Sequence, residues 1–226
     1  RLPSLLHEQN ARVGRANLFL AAGVKTMLLS WKNSKPIPPN ISILLTGLPV
    51  RSAFFELPNY QRKKKFSVKS PCHILIIGGS LGARMFADFI PQAISALPEN
   101  IRKSVVITQQ VCKEQLFELQ SKYSRMSIRH FCKSFFTEIV KEMAKADIII
   151  SRAGASSVAE VAAIGRAAVF IPFPESLDDH QVYNARSLTN EKAAILLPQK
   201  EIEEDPTILS KHLLSLTTSF IADDID

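Results

Sequence analysis

Ile148-Ile149-Ile150-Ser151-Arg152-Ala153-Gly154-Ala155-Ser156-Ser157-Val158-Ala159-Glu160 runs from an apolar stretch of strand length, through a turn of small residues, into a helical pattern with an acid in its first turn. Three successive isoleucines leave the strand no polar face, so it needs cover on both sides and belongs in a parallel sheet flanked by helices. The turn then falls at the sheet's carboxyl edge. There the first N–H groups of the next helix lack intrahelical partners, and ligands of open α/β sheets bind. A second junction, Ile74-Leu75-Ile76-Ile77-Gly78-Gly79-Ser80-Leu81-Gly82-Ala83, repeats the design.

Outward from these corners, short apolar runs alternate with helical ones from about His73, which predicts successive βα units. Six strands are expected, near 73–77, 103–108, 126–131, 147–151, 167–171 and 193–197, with helices between them and after the last. In the first helix Phe86, Phe89, Ile90, Ala93, Ile94 and Leu97 recur at steps of three and four and form a core face. Ile171-Pro172-Phe173-Pro174 ends the fifth strand, because proline cannot continue a central ladder. Residues 1–47 predict a separate stretch: strands near Leu2–Leu6, Lys25–Leu29 and Ile41–Leu45, and a helix over Arg12–Ala22, read as the tail of a preceding α/β domain. Residues 48–72, with Pro49, Pro58 and Pro71, have linker composition, and residues 73–226 form the doubly wound domain.

Bulk properties narrow the function. Hydrophobic residues at 46% and charged residues at 22% describe a globular chain, not a disordered one. No stretch reaches the roughly 20 apolar residues of a bilayer span, and a chain that starts at Arg1 without methionine reads as truncated. The net charge of +7 fits an acidic partner. The run Arg62-Lys63-Lys64-Lys65 can face phosphate, anionic lipid or only water, and the solvated loop is favoured. Basic residues are not interleaved with aromatics, so nucleic acid is not an expected partner. Cys72, Cys112 and Cys132 form neither a disulfide framework nor a C-x-x-C zinc pattern, which fits a reducing cytoplasm. The five histidines make no H-x-x-x-H pair, and Asp224-Ile225-Asp226 lies at a terminus where chains fray, so neither metal nor cofactor is expected.

Each motif has two readings. Gly78-Gly79-Ser80-Leu81-Gly82 either cradles a phosphate at a helix N-terminus or only turns a corner. Ser157-Val158-Ala159-Glu160 matches the capping box S-x-x-E, in which Glu160 bonds backbone; alternatively Glu160 accepts two vicinal ribose hydroxyls. His180-Gln181-Val182-Tyr183-Asn184-Ala185 opens a helix with Asp178 or Asp179 as N-cap. Gln181 and Asn184 share a polar face that serves sugar hydroxyls or only solvent, while Val182, Ala185 and Leu188 turn inward. His7-Glu8-Gln9-Asn10 places polar residues directly after a strand, and Arg51 can hold a phosphate or an acidic loop.

Taken in order, His7-Glu8-Gln9-Asn10, Pro49-Val50-Arg51, Gly78 to Ala83, Arg152-Ala153-Gly154-Ala155 with Glu160, and Asp179-His180-Gln181 with Asn184-Ala185 resemble the MurG family of N-acetylglucosaminyltransferases. The resemblance covers nearly the whole chain and implies a GT-B architecture, two Rossmann-like domains facing a cleft, of which this chain holds the donor half. It implies transfer of N-acetylglucosamine from UDP-N-acetylglucosamine to lipid I, giving lipid II for peptidoglycan, at the cytoplasmic face of a bacterial inner membrane, with an anionic membrane surface as partner of the full-length protein. Carried over by motif, Asn10, Arg51 and Ser80 contact the donor, Phe136 lies against uracil, Ala155, Ser156, Ser157, Val158, Ala159 and Glu160 form the nucleotide loop, and Gln181 touches the sugar. Leu48 and Leu81 depart from polar residues common in the family but leave the turns intact. The family's first half, with its glycine-rich loop, candidate base and membrane patch, is absent from this sequence, so the chain alone is expected to be inactive. Two alternatives remain open: a donor-binding module that works with a separate acceptor chain, and a related glycosyltransferase using diacylglycerol.

Overall fold

The computed structural model describes residues 3–57 and 65–218, with the backbone alone for 79–83. The chain begins β1 (Leu6–Glu8), α1 (Arg15–Leu20), β2 (Thr26–Leu29) and β3 (Ser42–Leu45). After a connector it continues β4 (Cys72–Ile77), α2 (Gly79–Ser95), α3 (Glu99–Lys103), β5 (Val105–Gln110), α4 (Leu116–Arg125), β6 (Arg129–Lys133), α5 (Ile139–Lys145), β7 (Ile148–Ser151), α6 (Ala155–Ile164), β8 (Ala167–Phe170), α7 (His180–Thr189), β9 (Ile195–Leu196), α8 (Gln199–Glu204) and α9 (Thr207–Thr218).

Two parallel sheets result. The first has the order β1-β2-β3; the second is six-stranded with the order β6-β5-β4-β7-β8-β9. All four residues of β7 are buried, as the apolar run requires, and Ile74, Ile76, Ile107, Ile148 and Ile150 build one core layer with Phe86, Ile90 and Ile94 of α2. The other face is closed by α5, α6 and α7 through Leu75, Ile149, Val158, Val161 and Ala185. Gly165 ends α6 in the left-handed region at φ 60°, and its N–H bonds the Val161 carbonyl.

The predicted βα alternation is present with shifted edges. β5 and β6 start two and three residues later than expected, because Lys103 closes α3 and Ser127 turns the chain at φ 54°. β9 has only two residues, and α1 is shorter than expected, since the chain tightens into a 3-10 turn at Ala21–Gly23. No described helix is long and apolar enough to cross a membrane. Most of the basic run, Arg62 to Lys64, lies outside the described residues, as do Pro58 and Asp224-Ile225-Asp226.

Candidate nucleotide-sugar site

β4 and β7 are neighbours in register, Ile77 opposite Ser151, and the strand order reverses between them. The chains leaving these two strands therefore diverge, opening a crevice at the sheet's carboxyl edge. Both glycine-bearing corners line it. α2 starts behind Gly78 and α6 behind Gly154, and neither N-cap residue makes a side-chain capping bond. In α6 the first ladder bond runs from Val158 N–H to the Gly154 carbonyl at 3.0 Å, so the N–H groups of Ala155, Ser156 and Ser157 precede the ladder. Such a helix end attracts an anion.

The predicted nucleotide loop is thus the first turns of a helix. Ser156 is exposed and Ala155 and Ser157 are half-buried, while Val158 and Ala159 point into the core. The capping box is overturned: the N-cap is Gly154, three residues before Ser157, so Ser157 lies inside the helix and Glu160 is beyond the first turn. Its carboxylate is instead held from the connector, where Arg51 Nη2 donates to Oε1 at 2.8 Å. Arg51 meets that acid rather than an acidic loop. Of Ser80 the structure describes the backbone, within α2; its side chain lies outside the described set. Phe136 is buried just past β6, its ring 6.3 Å from that of Phe131.

A network of amides joins the two sheets beside this crevice. Asn184, buried in α7, accepts from Ala11 N–H at 2.8 Å and donates to the Ala153 carbonyl at 3.2 Å and to Asn10 Oδ1 at 3.1 Å. Each backbone partner permits one orientation only, so the amide polarity is fixed. Asn184 is therefore spent on protein: it shares a face of α7 with Gln181, as expected, but both side chains bond Ala153, so that face meets protein. Gln181 Oε1 accepts from Ala153 N–H and Phe173 N–H at 3.2 and 2.9 Å. Its Nε2 donors have no partner among the described residues. Asp179 stands at the N-cap of α7 but in a left-handed conformation, φ 57°, with no side-chain capping bond; Asp178, also left-handed at φ 50°, pairs with Arg15 at 2.7 and 2.9 Å. Among the described residues no group of three or more His, Cys, Asp or Glu comes together as a metal site.

The model of the glycosyltransferase family 28 C-terminal domain matches residues 73–219. The chain belongs to this family. Among curated relatives, proteins of Granulibacter bethesdensis and Bordetella parapertussis are 37% and 39% identical, over 90% and 88% of this chain but 53% and 54% of their own length. Both bear the name UDP-N-acetylglucosamine--N-acetylmuramyl-(pentapeptide) pyrophosphoryl-undecaprenol N-acetylglucosamine transferase. The crystal structure of Acinetobacter baumannii MurG is 30% identical and superposes with a TM-score of 0.75, covering 98% of this chain and 62% of that one. The fold is accordingly GT-B, and the chain spans about half the length of the curated relatives it matches.

Two residues of this family 28 chain carry more of the site than their motifs suggest. Arg152 follows β7, and its guanidinium lies 4.9 Å from the Phe86 ring centroid and 5.4 Å from that of Phe173. Nη1 donates to the carbonyls of Ile171 and Pro172, and Nη2 donates to Gln199 Oε1, whose own amide donates to Glu203 at 2.6 Å. Burial pushes its pKa down to about 10, partly opposed by Glu203, so it stays charged at neutral pH. It clamps the chain where it enters the loop before α7. Glu8 is 3% exposed and accepts from Asn10 N–H, Gly14 N–H and Asn17 Nδ2, each at 2.8 Å. The strand expected near Leu2–Leu6 is instead β1, Leu6–Glu8, so His7 and Glu8 close the strand rather than follow it; the polar run ending in Asn10 was the available signal for Glu8, while the donors converging on it depend on how the following loop folds.

Proposed function

We propose that this chain is the donor half of an inverting N-acetylglucosaminyltransferase, binding UDP-N-acetylglucosamine in the crevice between β4 and β7. The observation that carries this reading is Glu160: it is released from capping and stands at the switch point beside an uncapped helix N-terminus, in a chain of family 28. Glu160 takes the ribose hydroxyls and Phe136 lies against the uracil. The N–H groups of Ala155 to Ser157, the Ser80 corner and Arg51 take the diphosphate. Asn10 borders the sugar from the first sheet, and Gln181 offers its Nε2 donors to it. In the whole protein an acceptor hydroxyl, C4 of the muramyl sugar of lipid I, forms a bond to the anomeric carbon while the bond from that carbon to UDP breaks. The acceptor proton passes to a base outside this chain, and preorganised dipoles with Arg51 stabilise the charge on the departing diphosphate.

The acceptor that the relatives' names give favours lipid I over diacylglycerol. Residues 1–47, 48–72 and 73–226 then serve as acceptor-side tail, connector and donor domain. All four residues of β3 are exposed, among them Ile43, Leu44 and Leu45, whereas parallel sheets are ordinarily covered on both faces. We read that face as the seat of the acceptor side, whether in the same polypeptide or a separate chain. The assembled enzyme would work peripherally at the cytoplasmic membrane face. Calorimetric titration with UDP-N-acetylglucosamine, UDP-glucose and NADH tests the donor site: the UDP-sugars bind, UDP-N-acetylglucosamine more tightly. Tight NADH binding without a UDP response would refute the assignment.

A further inference from the structure

We propose that Arg51 gates Glu160, making recognition of the ribose conditional on an attached diphosphate. This rests on the nucleotide reading above and goes beyond it by assigning the site a rule of discrimination. The Arg51 guanidinium bonds Glu160 Oε1 at 2.8 Å and lies 5.2 Å from the Phe54 ring centroid. Phe54 is 3% exposed and packs in the same cluster as Val158 and Val161 of α6, so the backbone bearing Arg51 is anchored to the helix bearing Glu160. The arginine side chain itself is 55% exposed, while that of Glu160 is 20% exposed, so the guanidinium is the more accessible partner of the pair.

A vicinal diol that sends one hydroxyl to each carboxylate oxygen competes with the guanidinium at Oε1. A free nucleoside replaces a charged donor with neutral ones and leaves Arg51 without an anion. A nucleoside diphosphate brings its own anion to the neighbouring N-terminus of α6, within the same crevice, and the displaced guanidinium has a planar fork suited to phosphate oxygens. The exchange is therefore unfavourable for the nucleoside and favourable for the diphosphate, and specificity is the difference between the two. An apo site guarded in this way discriminates against uridine, which shares the base and sugar but lacks the leaving group.

The test is calorimetric titration of this chain and its Arg51→Gln and Arg51→Lys variants with uridine, UMP and UDP, with thermal unfolding of each variant to establish folding. In Arg51→Gln uridine binds about 2- to 5-fold more tightly, the range expected from removing an exposed ion pair. UDP binds about tenfold more weakly, as loss of a charge-assisted bond implies. UMP falls between them, and Arg51→Lys, keeping charge without the fork, lies between wild type and Arg51→Gln. Equal weakening of uridine and UDP would show that Arg51 only props Glu160, and no change in either would show a surface contact without a role; both overturn the gate. Failure of the wild-type chain to bind UDP at all would remove the nucleotide site itself, a different result from losing the gate alone.

Discussion

Glu8 and Glu160 both stand at the carboxyl edge of a parallel sheet, yet their surroundings are opposite. Glu8, in the three-stranded sheet, is buried under three close donors, with a fourth, Asn10 Nδ2, at 3.4 Å. Glu160, in the six-stranded sheet, has one hydrogen-bond partner among the described residues, a cation on a half-exposed side chain. Position at a sheet edge makes an acid eligible for a ligand; the number of protein donors already converging on it decides whether it is available. Glu8 is committed to shaping the loop that brings Asn10 to Asn184. Glu160 retains most of its accepting capacity.

The largest break in this comparison comes from Glu8→Gln. The substitution removes the charge and turns one acceptor oxygen into an NH2 group facing N–H donors that cannot reverse. Loss of charge-assisted bonds in a buried site, together with one donor–donor contact, is expected to cost about 3 kcal/mol of unfolding free energy. Urea denaturation followed by circular dichroism measures it, with Glu160→Gln as the paired control. Equal losses in the two variants would erase the distinction between a committed and an available acid.

Much of the fold was legible because isoleucine-rich runs bounded by glycine or proline have few other uses. β4, β7 and β8 lie within one residue of their expected bounds. β5 was harder: its expected limits followed the apolar residues, but the strand extends through Gln109 and Gln110. In the interior Gln109 Oε1 accepts from the Tyr123 hydroxyl at 2.6 Å, a bond from a helix whose packing the local pattern does not reveal. At the site, the corners could be found from glycine and small residues, whereas the role of Glu160 turned on where α6 begins. Gly154 starts it without help from any side chain, and S-x-x-E is then a coincidence of spacing. The burial of Asn184 depends on Asn10 and Ala11, more than 170 residues away in sequence, so no local periodicity could anticipate it.

Glu160→Gln sharpens the comparison from the other side and has an intermediate effect. The amide keeps one acceptor oxygen but loses the charge that strengthens bonds from ribose hydroxyls and from Arg51. Affinity for UDP-N-acetylglucosamine is expected to fall about tenfold, near the lower end for a charged hydrogen bond. Unfolding free energy should change by no more than about 0.5 kcal/mol, as for a partly exposed pair. Stability that falls while affinity holds would place Glu160 with Glu8 among the structural acids.

The smallest effect tests a carboxylate tied across the two sheets' loops, Asp178. The Arg15 side-chain hydrogen bond, followed by charge attraction, holds its pKa below the ordinary aspartate value. Because the folded-state value is depressed, its stabilisation is fully present above the unfolded pKa of about 3.9 and is lost as pH falls through the folded value. Asp178→Asn isolates this contribution, since asparagine tolerates the left-handed backbone that Asp178 adopts at φ 50°. At pH 7 and low salt the wild type should unfold at a slightly higher temperature, by no more than about 2 °C for an exposed pair. The gap should persist down to about pH 4, close progressively below it, and shrink on adding salt. A gap unchanged at pH 2 would mean that Asp178 acts through loop packing rather than charge, and Arg15 would then make no electrostatic link between the two sheets.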